Sequence, residues 1–168
     1  MTHAAIEART ERVRLATWVT PVPRRQPWQV AIDLATLDQL SDGRVMFGCG
    51  LGAPWNYQTS GIEYDLSTLA RRYAESLTMI TQLWTGEEVS YDGEEYTIEG
   101  MQLPITPAQE PRIPIVMGYW WPNTAPLKRA GRWDGMMPYA PSFFDGEGVQ
   151  GEQPTGSIED QTDDIFAY

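Results

Sequence analysis

Short runs of β-branched and apolar residues alternate along this chain with stretches of helical period, and Pro or Gly marks almost every change. Residues 13–20 (Val-Arg-Leu-Ala-Thr-Trp-Val-Thr) read as a strand stopped by Pro21 and Pro23. Pro27 suits the first turn of a helix whose Val30, Leu34, Leu37 and Leu40 share a face, and Ser41-Asp42-Gly43 ends it. Residues 45–49 form a continuous apolar run, the pattern of a strand covered on both faces. After a loop over 50–61, Leu66, Leu69, Tyr73, Leu77, Ile80 and Leu83 define a second helix, with Asp65 or Ser67 as its cap and Gly86 as its stop.

The remainder continues the alternation. Residues 89–98 predict a hairpin turning on Asp92-Gly93, because that dipeptide tolerates the positive φ of a two-residue turn. A strand follows over 113–117 with Pro114 at its start, then a short helix over 123–132 and a fourth strand over 135–139. At the front, residues 2–10 read as a helix with Ala4, Ala5, Ile6 and Ala8 as its apolar side. Residues 143–156 read as a flexible Gly-rich acidic loop, and Ser157 with Asp160 as a capping box opening a helix over 157–168. Strand–helix alternation means right-handed βαβ units and a parallel sheet. Ligands of such sheets bind at the carboxyl rim, here residues 17–20, 48–52, 117–120 and 137–139.

Charge narrows the partners. Twelve basic and 23 acidic residues leave a formal net charge of −11, which excludes nucleic acid and anionic membrane surfaces as partners. Eight of the acids, and no Lys or Arg, fall in residues 133–168, so the body of the chain is nearly balanced. One cysteine and one histidine exclude an internal disulfide framework and a His-rich metal site. No apolar run reaches the roughly 18 residues that cross a bilayer, and the charged first dozen residues hold no secretory signal. The expectation is a soluble cytoplasmic protein.

Several motifs bear on chemistry. Residues 48–53, Gly-Cys-Gly-Leu-Gly-Ala, satisfy a dinucleotide fingerprint after a strand, but the long loop beginning at Pro54 separates them from any helix start. Cys49 reads as a small core residue rather than a nucleophile, and His3 as a surface or capping residue. Glu87-Glu88 and Glu94-Glu95 read as solvated faces of the hairpin, and Lys128, Arg129 and Arg132 as charges facing a helix carboxyl end. Met-Gly-Tyr-Trp-Trp-Pro-Asn-Thr over 117–124 combines a glycine that admits close backbone approach, three aromatics and a helix amino terminus. Those rings either frame a planar ligand or cover the end of the core.

A family resemblance follows from several motifs in order. The run "TERVRLATWVTPVPRRQPWQVAIDLATLDQLSDGRVMFGCGLG", the hairpin "YDGEEYTI", and "RIPIVMGYWWP" and "AGRWDGMMP" resemble the bacterial-luciferase-like flavin-dependent oxidoreductases and monooxygenases over about residues 1–141. The resemblance implies a partial (β/α)8 TIM barrel, roughly strands three to six with a β-hairpin insertion, spanning residues 1–142 of an α/β chain. It implies FMN or a deazaflavin coenzyme at the carboxyl rim, with a backbone bulge and a cis peptide at Trp18-Val19 behind the ring. Thr17 and Thr20 would face the pocket, and Gly50 and Leu51 would approach the ring or its phosphate. Met117, Gly118, Tyr119, Trp120, Asn123 and Thr124 would line the cofactor. Two positions depart from the family pattern: Trp18, where many relatives have Gly or Ala, and Leu51, where many have Arg. No catalytic acid or base is assigned. A complete barrel has eight strands and about 250 residues, so four strands imply a fragment or truncated product.

Three readings result. The first is part of a flavin- or deazaflavin-dependent oxidoreductase that transfers hydride or activates dioxygen for a small organic substrate. The second is a non-catalytic half-barrel that pairs with a second copy or a completing chain through exposed Trp55, Tyr57, Trp120 and Trp121. The third is a nicotinamide-binding α/β domain built on residues 48–53.

Overall fold

A computed structural model describes residues 2–58, 60–120 and 131–139 of the 168-residue chain. The predicted loop over 143–156, the helix over 157–168 and nearly all of the helix over 123–132 lie outside the described residues; 131 and 132 form a turn. The elements are α1 (Thr2–Glu7), β1 (Leu15–Ala16), β2 (Thr20–Pro21), α2 (Pro27–Leu40), β3 (Val45–Gly50), α3 (Leu66–Leu83), β4 (Val89–Asp92), β5 (Thr97–Met101), β6 (Ile115–Trp120) and β7 (Gly135–Tyr139). Short 3-10 turns occupy Val22–Arg24 and Pro54–Asn56.

The strands outside the hairpin form one parallel sheet in the order β1-β3-β6-β7, with β2 also on β3. Parallel pairing puts every carboxyl end on one rim, as the alternation predicts. The expected single strand over 13–20 is two strands. Three residues separate Ala16 from Thr20, while two separate their partners Met46 and Cys49, so one extra residue bulges out between β1 and β2. The Trp18-Val19 peptide within that bulge is cis, at the position the resemblance implies.

The core lies between the sheet and helices α2 and α3. Val45, Phe47, Cys49, Ile115 and Met117 meet Val30, Leu34, Tyr73, Leu77 and Ile80, with no side chain more than slightly exposed. Trp84 closes one end, its ring edge-on to Phe47 and its Nε1–H donating to the Ala31 carbonyl at 2.9 Å. Leu40 and Leu66 are exposed despite fitting the helical stripes, because each sits at the terminus of its helix, past the sheet. Ala5, Ile6 and Ala8 are exposed too, so of the apolar side expected for α1 only Ala4 is half-buried. Polar ties hold α1 instead: His3 Nε2–H donates to the Ala16 carbonyl at 3.0 Å, and Arg44 meets Glu7 at 3.7 Å.

The hairpin forms, but not on a two-residue turn. Asp92 pairs with Thr97, leaving four turn residues, and Gly93 N–H donates to the Tyr96 carbonyl at 2.9 Å. Glu75 of α3 is the reason. Its carboxylate accepts from the backbone N–H groups of Glu94 at 3.0 Å, Glu95 at 3.1 Å and Tyr96 at 3.1 Å, opening the turn around itself. Glu95 consequently points inward, its side chain 11% exposed between Arg71 and Arg72 at 3.0 and 3.1 Å, while Glu94, at 78%, and Glu87 and Glu88 keep the expected solvated faces.

Among the described residues, three carboxyls titrate below their ordinary range. The Ser67 hydroxyl and Thr68 hold Asp65 down as the cap of α3. Burial pushes Glu95 up, but Arg72 and Arg71 outweigh it. Burial likewise opposes Asp134, where Arg112 and the Ile115 N–H, 2.7 Å away, prevail. A carboxyl with a depressed folded-state pKa stabilises the fold above its unfolded pKa, near 4, and loses that contribution as pH falls toward the folded value. Thermal melts are therefore expected to give a level Tm from about pH 8 to 5 and a falling one below about pH 4. A Tm that holds to pH 2 contradicts this assignment.

Candidate functional site at the carboxyl rim

The Thr17–Val19 bulge (residues 17–19) lies across the ends of β3 and β6, and two glycines receive it. A Cβ on Gly48 would stand 1.8 Å from the Thr17 carbonyl oxygen, so only glycine lets the two backbones approach. Thr17 locks the approach by donating its Oγ1–H to the Gly48 carbonyl at 2.7 Å. A Cβ on Gly50 would stand 3.2 Å from Val19 Cγ2 and 3.5 Å from the Gly118 carbonyl, so Val19 sits over the end of β3 beside β6. The Trp18 side chain is 56% exposed, its Cε3 3.5 Å from the Gly48 Cβ position, so the indole stands at the rim without being packed into the sheet.

Alternation along the strands decides which candidates face the rim. Met117 belongs to the core with Cys49, its partner in the β3–β6 register, so its side chain faces the helices rather than a rim ligand. Leu51 is half-buried and packs against the same core, which leaves its backbone as the part available at the rim. Tyr119 is buried, and burial raises its hydroxyl pKa. Gly118 is half-buried, and Thr17 and Thr20 are partly exposed. Trp120 ends β6 in register with Tyr139, while Asn123 and Thr124 lie outside the described residues.

The rim segments 17–20, 48–52, 117–120 and 137–139 contain no Asp, Glu, His, Lys or Arg. These segments can seat a flat, largely apolar group against backbone and methyl surface, but they supply no proton donor or acceptor of carboxylate or imidazole type. Cys49 is no exception: wholly buried and 3.2 Å from the Tyr73 hydroxyl, its thiol is pushed up to about 12 by burial. The glycines of residues 48–53 open no helix, since a 3-10 turn and a loop intervene before α3, which leaves the fingerprint without a pyrophosphate-binding helix end. Among the described residues no cluster of metal-ligating side chains occurs, and no helix is long and apolar enough to cross a membrane.

One residue of this region escapes sequence reading. Tyr57, expected to be exposed at an interface, is buried, and its hydroxyl donates to the Leu51 carbonyl. The signal present was local: Gly52 and Asn56 bracket a tight loop that returns the chain toward the strand it has just left.

A parallel partial barrel with a strand bulge and glycines at its carboxyl rim places the chain in the α/β-barrel class, in which ligand sites are formed by strand tips. Residues 1–143 match the luciferase-like monooxygenase family model, and the chain belongs to that family. It is 38% identical over 130 residues to an F420-dependent glucose-6-phosphate dehydrogenase of Microbacterium testaceum, covering 76% of this chain and 38% of that protein. Monooxygenase RslO1 of Streptomyces bottropensis superposes with a TM-score of 0.72 at 27% identity over 80% of this chain and 41% of its own. An F420-dependent secondary alcohol dehydrogenase in complex with an F420-acetone adduct gives 0.71 at 25% identity, with the same coverage. The chain thus spans about two fifths of the length of these relatives.

Proposed function

We propose that this chain carries the ring-seating part of a flavin- or deazaflavin-dependent oxidoreductase acting on a small organic substrate. The bulge over residues 17–19, seated on Gly48 and Gly50 at the tips of parallel strands, carries the reading. A planar ring needs an apolar support without competing side chains, and the Val19 methyl surface beside the Gly118 backbone supplies one. The rim's lack of Asp, Glu, His, Lys and Arg agrees with this, because the redox chemistry would come from the bound group. When present, such a ring supplies hydride transfer or, reduced, the activation of dioxygen. Val19 and the backbone of Gly50, Leu51 and Gly118 would support the ring, Thr17 would hold the bulge in place, and Thr20 would border it. Trp120, Asn123 and Thr124 would continue the lining toward the phosphate end.

The relatives named for F420 favour a deazaflavin, with FMN as the alternative. A cytoplasmic setting, where the Cys49 thiol stays reduced, completes the reading. Among the described residues β7 and the β1–β2 segment occupy the two sides of the sheet, which leaves room for a completing segment, a second copy or another chain. The test is a titration of the purified 168-residue chain with deazaflavin and with FMN, followed by cofactor fluorescence and by size. Saturable one-to-one binding by a monomer supports the reading as stated. Binding only by an oligomer, or only with a second chain added, supports it with the completing partner included. No change in cofactor fluorescence in any of these states overturns it.

A further inference from the structure

Beyond β3 the chain makes a tight excursion, and three ties hold it. Gly52 turns the backbone at φ +81, where a Cβ would stand 2.9 Å from Pro21 Cβ of β2, 3.1 Å from Asn56 Oδ1 and 3.2 Å from Tyr57 Cε2. Asn56 Oδ1 accepts the Ala53 N–H at 2.8 Å, closing the 3-10 turn. The third tie is the Tyr57 hydroxyl, which donates to the Leu51 carbonyl. Of the three, it alone grips the first residue after the strand. The Tyr57 ring is buried, with the Tyr64 ring tilted against it at 5.4 Å, so the hydroxyl is held where it is needed. Burial also pushes its pKa up to about 12, which keeps it protonated and donating throughout the neutral range.

We infer that Tyr57 is a positioning residue of the rim, its hydroxyl fixing the Leu51 backbone and thereby setting the affinity for the ring cofactor. The inference rests on the flavin reading above and adds a residue to it that touches no part of the ring. Leu51 directly follows Gly50, whose Cβ position lies 3.2 Å from Val19 Cγ2, so a shift of the Leu51 carbonyl is passed to the surface on which the ring would rest. An arginine or lysine is not required for this; one neutral donor on a buried ring is enough, because the half-buried Leu51 carbonyl, deprived of that partner, shifts toward another.

Tyr57→Phe keeps the ring and its contact with Tyr64 while removing the donor. Tyr64→Phe makes the same chemical change on the neighbouring ring, which holds no rim carbonyl. In the 168-residue chain, Tyr57→Phe is expected to raise the dissociation constant for deazaflavin or FMN roughly three- to tenfold. Its Tm without cofactor should fall by no more than about 4 °C, and Tyr64→Phe should leave the affinity unchanged. A purely structural role moves Tm and leaves affinity, measured well below Tm, in place. Equal affinities of Tyr57→Phe and the unaltered chain overturn the inference while leaving the flavin reading intact. Failure of the unaltered chain to bind either ring overturns both.

Discussion

Gly48→Ala is expected to lower stability by at least about 3 kcal/mol, or roughly 6–12 °C in Tm, and to abolish ring binding. The added methyl would occupy a point 1.8 Å from the Thr17 carbonyl oxygen, well inside contact distance. The clash is with backbone, so no rotamer change relieves it. Either β3 leaves its register with β1 and β6, or the bulge lifts off and takes Val19 from its seat over Gly50. Gly135→Ala is the natural control. There the nearest neighbour, Val116 Cγ2, stands at 3.5 Å, an ordinary contact, and the expected change in Tm is under about 2 °C. Thermal melts of both variants with cofactor titrations decide the matter, and a Gly48→Ala variant as stable as Gly135→Ala would show that the bulge does not depend on close approach.

The second large effect is expected at the other end of β3. Asp38 lies on α2 and is wholly buried, and its carboxylate joins three parts of the chain. One oxygen accepts the Ala108 and Gln109 N–H groups at 2.9 and 3.0 Å; the other accepts Gln109 Nε2–H at 2.8 Å and approaches the Val45 N–H at 3.4 Å. Gln109 Nε2 also donates to the Val45 carbonyl at 2.8 Å, so the start of β3 and the segment leading to β6 are fixed together. Asp38→Ala strands these donors and is expected to cost about 3–5 kcal/mol. Asp38→Asn, which keeps one accepting oxygen, should cost about half as much. Urea unfolding with an unchanged m-value measures both, and a loss below about 1 kcal/mol for Asp38→Ala would mean water replaces the carboxylate.

These two sites differ in how much of them the sequence discloses. Strand and helix positions are legible because Pro21, Pro27, Gly43 and Gly86 punctuate the chain where the backbone itself imposes a change. The bulge at Trp18-Val19 is legible through family resemblance, and residues 48–52 advertise close backbone approach by their glycines. Asp38 gives no such signal. Its main donors, at residues 108 and 109, lie about seventy positions away, and a lone acid in a helix reads as solvent-facing until the fold brings them against it. Glu75 is hidden for the same reason, and its grip on the hairpin defeats a turn rule that is sound for an isolated hairpin. Met117 is governed by parity: the strand begins at Ile115, and alternation turns residue 117 toward the helices although it stands at the rim in sequence.

The location of a bound ring tests the account most directly. A crystal structure of the 168-residue chain, or of its complete assembly, grown with deazaflavin or FMN is expected to place the ring plane against Val19, with ring atoms in van der Waals contact with the backbone of Gly50 and Gly118. A ring seated away from the strand tips, or a Trp18 indole filling that surface in the complex, would contradict it.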